Sequence, residues 1–545
     1  MMEQKKADVI FFNGKIVTLD ARDTIASAVA VTDGRILAVG SDERIKKMSD
    51  PETRLVDLGG KTMLPGLIDC HCHLWVSTRS FRYYVDGRCP PNKSVRDILE
   101  RIRQRTKETP KGTWIAVHAS MFGNLKLAEK RYPTKEELDS VAPEHPVVLL
   151  SSLHTYIVNS RALELARITK NTAELPGGGT IERDRTTGEP TGVLKECHEA
   201  LPISPFTYDQ LKETLRVEVP KYWIRKGFTT AYSCADGVEL RAYQELFCEG
   251  SLPLRIQALL CNLDNRPDLL ESLVTLQLQP GFGNDWLRIG GVKIFVDGAF
   301  MGLSAATHTP YLNMPDEDYC GILRYEASPL SDLVLKAHNA GIQLCIHAMG
   351  DKGQDIALGA YEKALAVNPR YHRHRIEHFG CDMGSPEMRR RAKTLGITPI
   401  TTIGWLWAYG DFLEHYLGKQ RSQQSFALRS MIDDGLKPAN CSDQCGTEPF
   451  TSDPFASIWC AVTRQTFFGN RFVPEQAISV KEALRMWTVN AAYSGFEEKM
   501  KGSIEPGKFA DLIVISRDIL TVPEDQIKDI KVKMTVIDGK IVHEE

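Results

Sequence analysis

Short apolar runs alternate with stretches of helical periodicity from about residue 63 to residue 443. An order of strand, helix and strand is typical of a parallel sheet whose crossovers are helices. The pattern contains eight candidate strands, the number that closes a (β/α)8 TIM barrel of the α/β class. The candidate strands are residues 63–74, 227–236, 254–261, 287–298, 342–350, 373–379, 397–404 and 437–443. The gap between the first and second strands is too long for one crossover, so the sequence predicts an insertion over about residues 80–205.

Both ends of the chain have a different pattern, with short apolar runs separated by Asn-Gly or Asp-Gly pairs. Such pairs favour tight turns, and they predict β-hairpins at residues 9–18, 28–39 and 533–542. Neither end has enough strands to bury a core alone. We therefore expect one small composite β-sandwich domain built from residues 1–62 and 497–545, flanking a barrel domain of residues 63–496.

The first candidate strand carries two histidines, His71 and His73, two residues apart. Because side chains on a strand alternate between faces, Asp69 is expected beside the two histidines, and Cys70 and Cys72 on the opposite face. Two neutral imidazoles on one face can bind one ion such as Zn²⁺. From the spacing alone, two packed or surface histidines remain the alternative.

The ends of later candidate strands carry further residue types that a metal site needs. Lys293 lies in the fourth strand, His347 in the fifth, His378 in the sixth and Asp443 in the eighth. Barrel enzymes place their active sites at the C-terminal ends of the strands, so these side chains are expected to lie close together. Each has an ordinary alternative: a core histidine, a lysine paired with Asp297, or an aspartate that caps a helix. The joint pattern favours a site for two divalent ions about 3.5–4 Å apart.

Composition excludes several other classes of function. The 545-residue chain has a formal net charge of −3 and no basic stripe, which argues against nucleic acid as a partner. We expect no signal peptide, no membrane association and a cytoplasmic location, because no apolar run is long enough for a leader or a membrane span. The 13 cysteines show no repeating spacing and are interpreted as reduced thiols. A homodimer is left open.

Motifs along nearly the whole chain resemble the amidohydrolase superfamily, and in particular amidohydrolase family 3, the branch that includes N-substituted formamide deformylase. The metal motif at residues 64–73 is LPGLIDCHCH. The barrel motifs are VKIFVDG, HAMGD, RIEH and SD at residues 292–298, 347–351, 375–378 and 442–443. The opening, inserted and closing segments also match, at residues 12–18, 28–36, 158–163, 188–194 and 502–512.

The resemblance implies a metal-dependent hydrolase that cleaves a non-peptide carbon–nitrogen bond of a small amide or formamide. The metal ligands that it implies are His71, His73, His347, His378 and Asp443. It also implies one or two ions, Zn²⁺ or Mn²⁺. Lys293 would bridge them as a carbamate, because a plain ammonium cannot ligate a metal. Asp443 would orient the attacking water and transfer its proton. His154 is either a hydrogen-bond donor to the substrate or a structural histidine of the insertion.

The chain departs from the family pattern where a substrate would be met. Leu153 replaces the usual glycine before His154, and residues 444–447 read QCGT where Ala-Pro usually follows Ser442-Asp443. These departures bear on the substrate and not on the metal site.

Aromatic residues after candidate strands and in the insertion favour a small apolar or aromatic substrate. They are Trp75, Tyr83, Tyr84, Trp405, Trp407 and Tyr409, each of which could also be an ordinary packing residue. The alternative function is a metal-dependent decarboxylase, which would need an arginine such as Arg324 or Arg375 for a carboxylate. A non-catalytic scaffold predicts missing ligands, and none is missing.

Overall fold

A computed structural model describes residues 6–151, 154–173, 175, 179–197, 200–203, 206–262, 268–445 and 448–545. In these ranges, eight parallel strands form the central sheet, in the order of the eight candidate strands. The strands are Leu67–Cys72, Phe228–Ala235, Arg255–Leu260, Leu287–Phe295, Leu344–His347, Arg375–Glu377, Thr398–Thr401 and Ala439–Asn440. The crossover helices are Tyr208–Tyr222, Gly237–Cys248, Asp268–Leu276, Ala327–Asn339, Asp351–Val367, Pro386–Leu395, Gly404–Leu417, Lys419–Ser422 and Leu428–Asp433. The predicted (β/α)8 TIM barrel is confirmed.

The first and eighth strands lie side by side and close the barrel. The Cys70 thiol donates to the Asn440 carbonyl (3.1 Å), and the backbone N–H of Asp443 donates to the His71 carbonyl (3.0 Å). Most barrel strands are buried along their whole length, as is usual for parallel sheets covered by helices. Closure therefore brings the end of the last strand beside the metal motif on the first.

Two further sheets lie outside the barrel, and strands from both termini share one of them, which confirms the composite β domain. In sheet order, the strands are Arg35–Gly40, Ala28–Thr32, Val9–Phe12 and Arg54–Asp57 in one sheet, and Lys540–Glu544, Val532–Ile537, Leu512–Ile515, Thr62–Pro65, Lys15–Val17 and Ile25–Ala26 in the other. Thr62–Pro65 pairs with one strand from each terminal segment: it runs antiparallel to Leu512–Ile515 and parallel to Lys15–Val17. The chain then enters the barrel at Leu67, and the domain bounds at residues 62/63 and 496/497 stay a prediction.

Two of the three predicted hairpins are confirmed, and the first is wrong. Thr32 pairs with Arg35, and Ile537 with Lys540, across their Asp-Gly turns. Asn13 instead has φ +55 and passes the chain from one sheet to the other. Both edges of Val9–Phe12 are already paired with other strands, so it cannot pair across this turn.

The insertion forms a sheet of its own beside the barrel mouth. Its strands, in sheet order, are Thr180–Arg183, Pro190–Lys195, Thr155–Val158, Val147–Ser151, Ile115–Ala119 and Val85–Gly87. The helices outside the barrel crossovers are Asp42–Lys46, Leu74–Tyr83, Val95–Glu108, Gly123–Lys126, Lys135–Val141, Ser160–Ala166, Pro454–Thr463, Val480–Trp487 and Val489–Ser494. Short 3-10 helices are Ile224–Lys226, Phe300–Gly302, Pro474–Gln476 and Glu524–Asp529. The predicted insertion is thus an ordered sheet, whereas its glycine-rich residues 176–178 lie outside the described residues.

Candidate metal centre

The first barrel strand carries the metal motif and departs from regular alternation. Its pairing with the second strand shifts register between Asp69 and Cys72, which marks a β-bulge. Cys70 packs in a buried cluster formed by the barrel strands, whereas Asp69 accepts a hydrogen bond from Trp223 Nε1 (3.0 Å). The expectation that Asp69 lies beside the histidines, with Cys70 on the opposite face, is therefore wrong. The bulge lets Cys70 and His71 both reach the barrel interior.

His71 is held by a buried charged group on the sixth strand. Its Nδ1 donates to Glu377 Oε2, and Arg375 binds both oxygens of Glu377 at 2.8 Å. Burial raises the pKa of Glu377, but Arg375 and His71 outweigh it and hold that pKa well below its usual range. Arg375 also donates to the Cys70 carbonyl (2.6 Å). These contacts leave His71 Nε2 to face the site, as an outer carboxylate commonly does for a metal-binding histidine.

Asp443 lies in a turn after the eighth strand, with its carboxylate among three histidines. Its Oδ1 is 3.1 Å from His71 Nε2 and 3.3 Å from His73 Nε2, and its Oδ2 is 3.9 Å from His378 Nε2. Burial alone would raise the pKa of Asp443. The imidazoles lower it by more than burial raises it, so the pKa lies well below the ordinary value. Within the described ranges, the buried Oδ1 accepts no hydrogen bond of acceptable geometry.

His378 and His347 extend the cluster from the sixth and fifth strands. Their ring centroids are 4.9 Å apart, and His378 Nδ1 shares a hydrogen bond with Thr402 Oγ1 (2.9 Å). Burial lowers the pKa of both histidines well below the ordinary value, which favours the neutral form that binds metal. His378 and Asp443 have φ values of +62 and +38. Such backbone outliers cost energy and concentrate at functional sites.

His347 lies near the cluster, but its ring nitrogen Nε2 faces the backbone and not the other ligand atoms. Its Nε2 donates to the Gly298 carbonyl (3.0 Å). Among the described residues, two sets of three potential ligand atoms lie within 4.8 Å of one another, and His347 is in neither. The sets are His71, His378 and Asp443, and His71, His73 and Cys234. Cys234 was missed as a ligand candidate by the sequence analysis, although it lies near the C-terminal end of a candidate strand.

Lys293 is 3% exposed and points into the same cluster. Its Nζ is 3.2 Å from His71 Nε2 and 4.6 Å from the centre of the Phe295 ring. The alternative pairing with Asp297 is wrong, because the Asp297 carboxylate accepts from the backbone of Ala306, Met349 and Gly350. Within the described part of the chain, Lys293 makes no ion pair with a carboxylate. An ammonium buried at this position would need a compensating anion.

His154 of the insertion lies beside the cluster, with its ring centroid 6.0 Å from that of His347. It is oriented by Glu196, which sequence reasoning missed: His154 Nδ1 lies 2.9 and 3.1 Å from the Glu196 carboxylate oxygens. Ser304 Oγ donates to the same carboxylate (2.6 Å). Burial raises the pKa of Glu196, but His154 and Ser304 lower it below the ordinary value. Leu153, which departs from the family pattern, lies outside the described residues.

A second histidine pair with the same spacing, His372 and His374, lies apart from this cluster. His372 Nε2 donates to the Leu395 carbonyl (2.9 Å), and His374 Nε2 bonds to His338 Nδ1 (2.9 Å). This pair is structural, which shows how little the spacing alone establishes.

Three of the aromatic candidates, Trp405, Trp407 and Tyr409, lie on the helix after the seventh strand and fall into two groups. Trp405 stacks on the His378 ring at 4.8 Å, and its buried Nε1 has no hydrogen-bond partner. Trp407 packs on Phe450, and Tyr409 donates to Asp382 (2.8 Å), so both are packing residues. The departure at residues 446–447 lies outside the described residues.

The residues present fit a divalent ion. Two nitrogen or oxygen ligands of a tetrahedral zinc ion, each at about 2.0–2.1 Å, lie about 3.3–3.4 Å apart. Asp443 Oδ1 lies 3.1 and 3.3 Å from the two Nε2 atoms of the motif. An unpartnered carboxylate oxygen at these distances from imidazole nitrogens is the arrangement that a shared cation requires. Of the two arginines that a decarboxylase could use, Arg375 is bound to Glu377, whereas the Arg324 guanidinium lies 5.4 Å from the centre of the Phe295 ring.

Comparisons with known proteins give a consistent result. The profile described as "Amidohydrolase family" matches residues 54–543. N-substituted formamide deformylase of Arthrobacter pascens is 33% identical over 98% of both chains. Protein LONG AFTER FAR-RED 3 of Arabidopsis thaliana is 30% identical over 94% of this chain and 87% of its own. A crystal structure of a metal-dependent hydrolase from Pyrococcus horikoshii OT3 superposes with a TM-score of 0.73 at 24% identity, over 95% of this chain and 99% of the other.

Membrane insertion through a helix has no support in the described ranges. No helix there combines the length and the apolar character that crossing a bilayer requires. The cytoplasmic location stays a prediction.

Proposed function

The chain belongs to the amidohydrolase family, and we propose that it hydrolyses the carbon–nitrogen bond of a small, apolar or aromatic amide or formamide in a metal-dependent reaction. The observation that carries the proposal is the buried Oδ1 of Asp443, which lies 3.1 and 3.3 Å from two imidazole nitrogens and accepts no well-aligned hydrogen bond from the described residues. A carboxylate and a set of neutral histidines at the C-terminal ends of barrel strands are suited to holding divalent ions.

In the proposed site, one or two ions, Zn²⁺ or Mn²⁺, are held by a shared set of ligands. The ligands are His71, His73, His347, His378 and Asp443, with Lys293 as a bridging carbamate. The buried position of Lys293, 3.2 Å from His71 Nε2 and with no carboxylate partner among the described residues, supports the carbamate. A carbamate replaces a costly buried cation by an anion, which the ions would neutralise.

The bound ions supply Lewis acidity toward the carbonyl group and make an attacking water acidic. The protein's own groups carry the proton. Asp443 accepts it from the attacking water and returns it to the leaving nitrogen as a general acid. His154, held by Glu196 at 2.9 Å, donates a hydrogen bond to the carbonyl oxygen as negative charge develops there.

The substrate class is supported by the relative and by the surroundings of His378. The Arthrobacter protein is named for a formamide substrate. Trp405 stacks on His378, and its buried Nε1–H has no acceptor among the described residues, which suits an apolar group that carries one hydrogen-bond acceptor. Arg375, bound to Glu377 beneath His71, is not available to the decarboxylase alternative, which the product assay tests directly.

A product assay tests this function. Purified protein is incubated with N-formyl and N-acyl derivatives of aromatic amines, charged dipeptides and aromatic carboxylic acids. We expect equimolar release of amine and carboxylate from the first group, and loss of turnover in Asp443→Asn with its fold intact. Turnover restricted to charged peptides, or release of carbon dioxide without consumption of water, would contradict the proposal.

A further inference from the structure

Cys234 lies at the end of the second barrel strand, beside the two histidines of the metal motif. Its side chain is buried, with 4% exposure, and its Sγ lies 3.8 Å from His71 Nε2. The ligand atoms of His71, His73 and Cys234 all lie within 4.8 Å of one another. From this geometry we propose that Cys234 is a thiolate ligand of the ion held by His71 and His73, an inference that rests on the proposed metal-dependent function.

The separation of sulfur and nitrogen fits a shared ion. With zinc–nitrogen and zinc–sulfur bonds of about 2.0–2.1 and 2.3 Å, tetrahedral geometry places the two ligand atoms about 3.5–3.6 Å apart. The observed distance of 3.8 Å lies close to this value. The same distance also admits a weak thiol–imidazole hydrogen bond, which the spectra of the metal-loaded protein distinguish from coordination.

Cys234, His71 and His73 offer one sulfur and two nitrogens to one ion, whereas Asp443 groups with His71 and His378. Zinc accepts this mixture of ligands, whereas Mn²⁺ prefers oxygen donors. Coordination would remove the thiol proton and add a negative charge to the site. Cys234 would thus bias the first ion toward zinc and hold it when Lys293 carries no carbamate.

Another cysteine provides a matched control. Cys70 is buried in the same cluster of barrel residues as Cys234, but its thiol donates to the Asn440 carbonyl (3.1 Å). Replacing either cysteine removes one buried thiol from the barrel. Only the replacement of Cys234 should change the spectra and the affinity of the bound metal.

The test uses spectroscopy, so it needs no substrate. In the wild-type protein loaded with Co²⁺, we expect the near-ultraviolet band of a thiolate-to-cobalt transition, and in the zinc form, one sulfur neighbour at about 2.3 Å by X-ray absorption. Cys70→Ser should keep both signals. Cys234→Ala should lose them and bind the first zinc at least ~10-fold more weakly.

The outcomes separate the two proposals. If the wild-type protein binds zinc and cobalt but shows neither signal, Cys234 is not a ligand, and the proposed function stands. If the wild-type protein binds no divalent ion, the proposed function fails, and the role of Cys234 fails with it. The X-ray absorption measurement is made on the wild-type protein, so it decides the question even if Cys234→Ala does not fold.

Discussion

Glu377→Gln tests how much of the site depends on the charged group beneath His71. Glu377 and Arg375 are both fully buried, and Arg375 binds the two carboxylate oxygens at 2.8 Å. Glutamine keeps an acceptor for the His71 N–H but removes the charge. The Arg375 guanidinium would then be left buried without a counterion, which costs about 3–5 kcal/mol of unfolding free energy.

The same substitution should weaken metal binding. Outer partners of metal-binding histidines typically contribute 10–100-fold in metal affinity, which corresponds to about 1.4–2.7 kcal/mol. Denaturant unfolding of the metal-free protein measures the first quantity, and competition with a coloured chelator measures the second. Because both effects follow from removing one carboxylate charge, the unfolding free energy and the metal affinity should decrease together.

A surface pair of the same chemistry is the matched control. Arg391 binds both oxygens of Glu362, at 2.8 and 3.1 Å, but both side chains are partly exposed. Glu362→Gln should cost less than about 1 kcal/mol and leave metal affinity unchanged. If Glu377→Gln behaves like Glu362→Gln in both assays, our account of how His71 is held is wrong.

The pH dependence gives a second readout of the same substitution. The pKa of folded Glu377 is depressed below the ordinary value of 4.5. A depressed carboxylate pKa contributes stability that is present above the unfolded pKa and is lost as pH falls toward the folded value. The difference in unfolding free energy between wild type and Glu377→Gln should therefore shrink as pH drops below about 4.5.

Three further changes test separate parts of the account. Lys293→Ala should lose one metal equivalent and most of its activity, with partial rescue by short-chain carboxylic acids; full metal content with most of kcat retained would exclude the bridging role. Glu196→Gln should lower kcat about 10²-fold through loss of His154 positioning, with unchanged metal content by elemental analysis, whereas the exposed Glu182→Gln should keep wild-type kcat; equal kcat in the two variants would contradict this role. Deleting residues 500–545 should give insoluble protein, because Leu512–Ile515 pairs with Thr62–Pro65 at the entry to the barrel; a soluble, fully active truncation would contradict the shared domain.

The parts of the fold that the sequence predicted well are those set by local pattern. Eight buried strands separated by helices leave few arrangements other than a closed barrel, and a barrel brings the strand ends together. This topology explains why His71 Nε2 lies 3.2 Å from Lys293 Nζ and 3.1 Å from Asp443 Oδ1, although these residues are far apart in the chain.

The errors arise where tertiary contacts override local pattern. Strict alternation misplaced Asp69 and Cys70 because a bulge at a strand end has no clear sequence signal. The Asn13-Gly14 pair indicated a hairpin, but both edges of the preceding strand are used by distant strands. Glu196 and Cys234 were missed because only the folded chain shows which residues they face.

Metal dependence of the hydrolysis tests the central claim most directly. The protein is depleted of metal, verified by elemental analysis, and titrated with Zn²⁺ or Mn²⁺ while release of amine from a substrate amide is followed. We predict no turnover without metal, with activity that rises and saturates at one or two equivalents of the ion. Full activity in the verified metal-free protein would contradict the account.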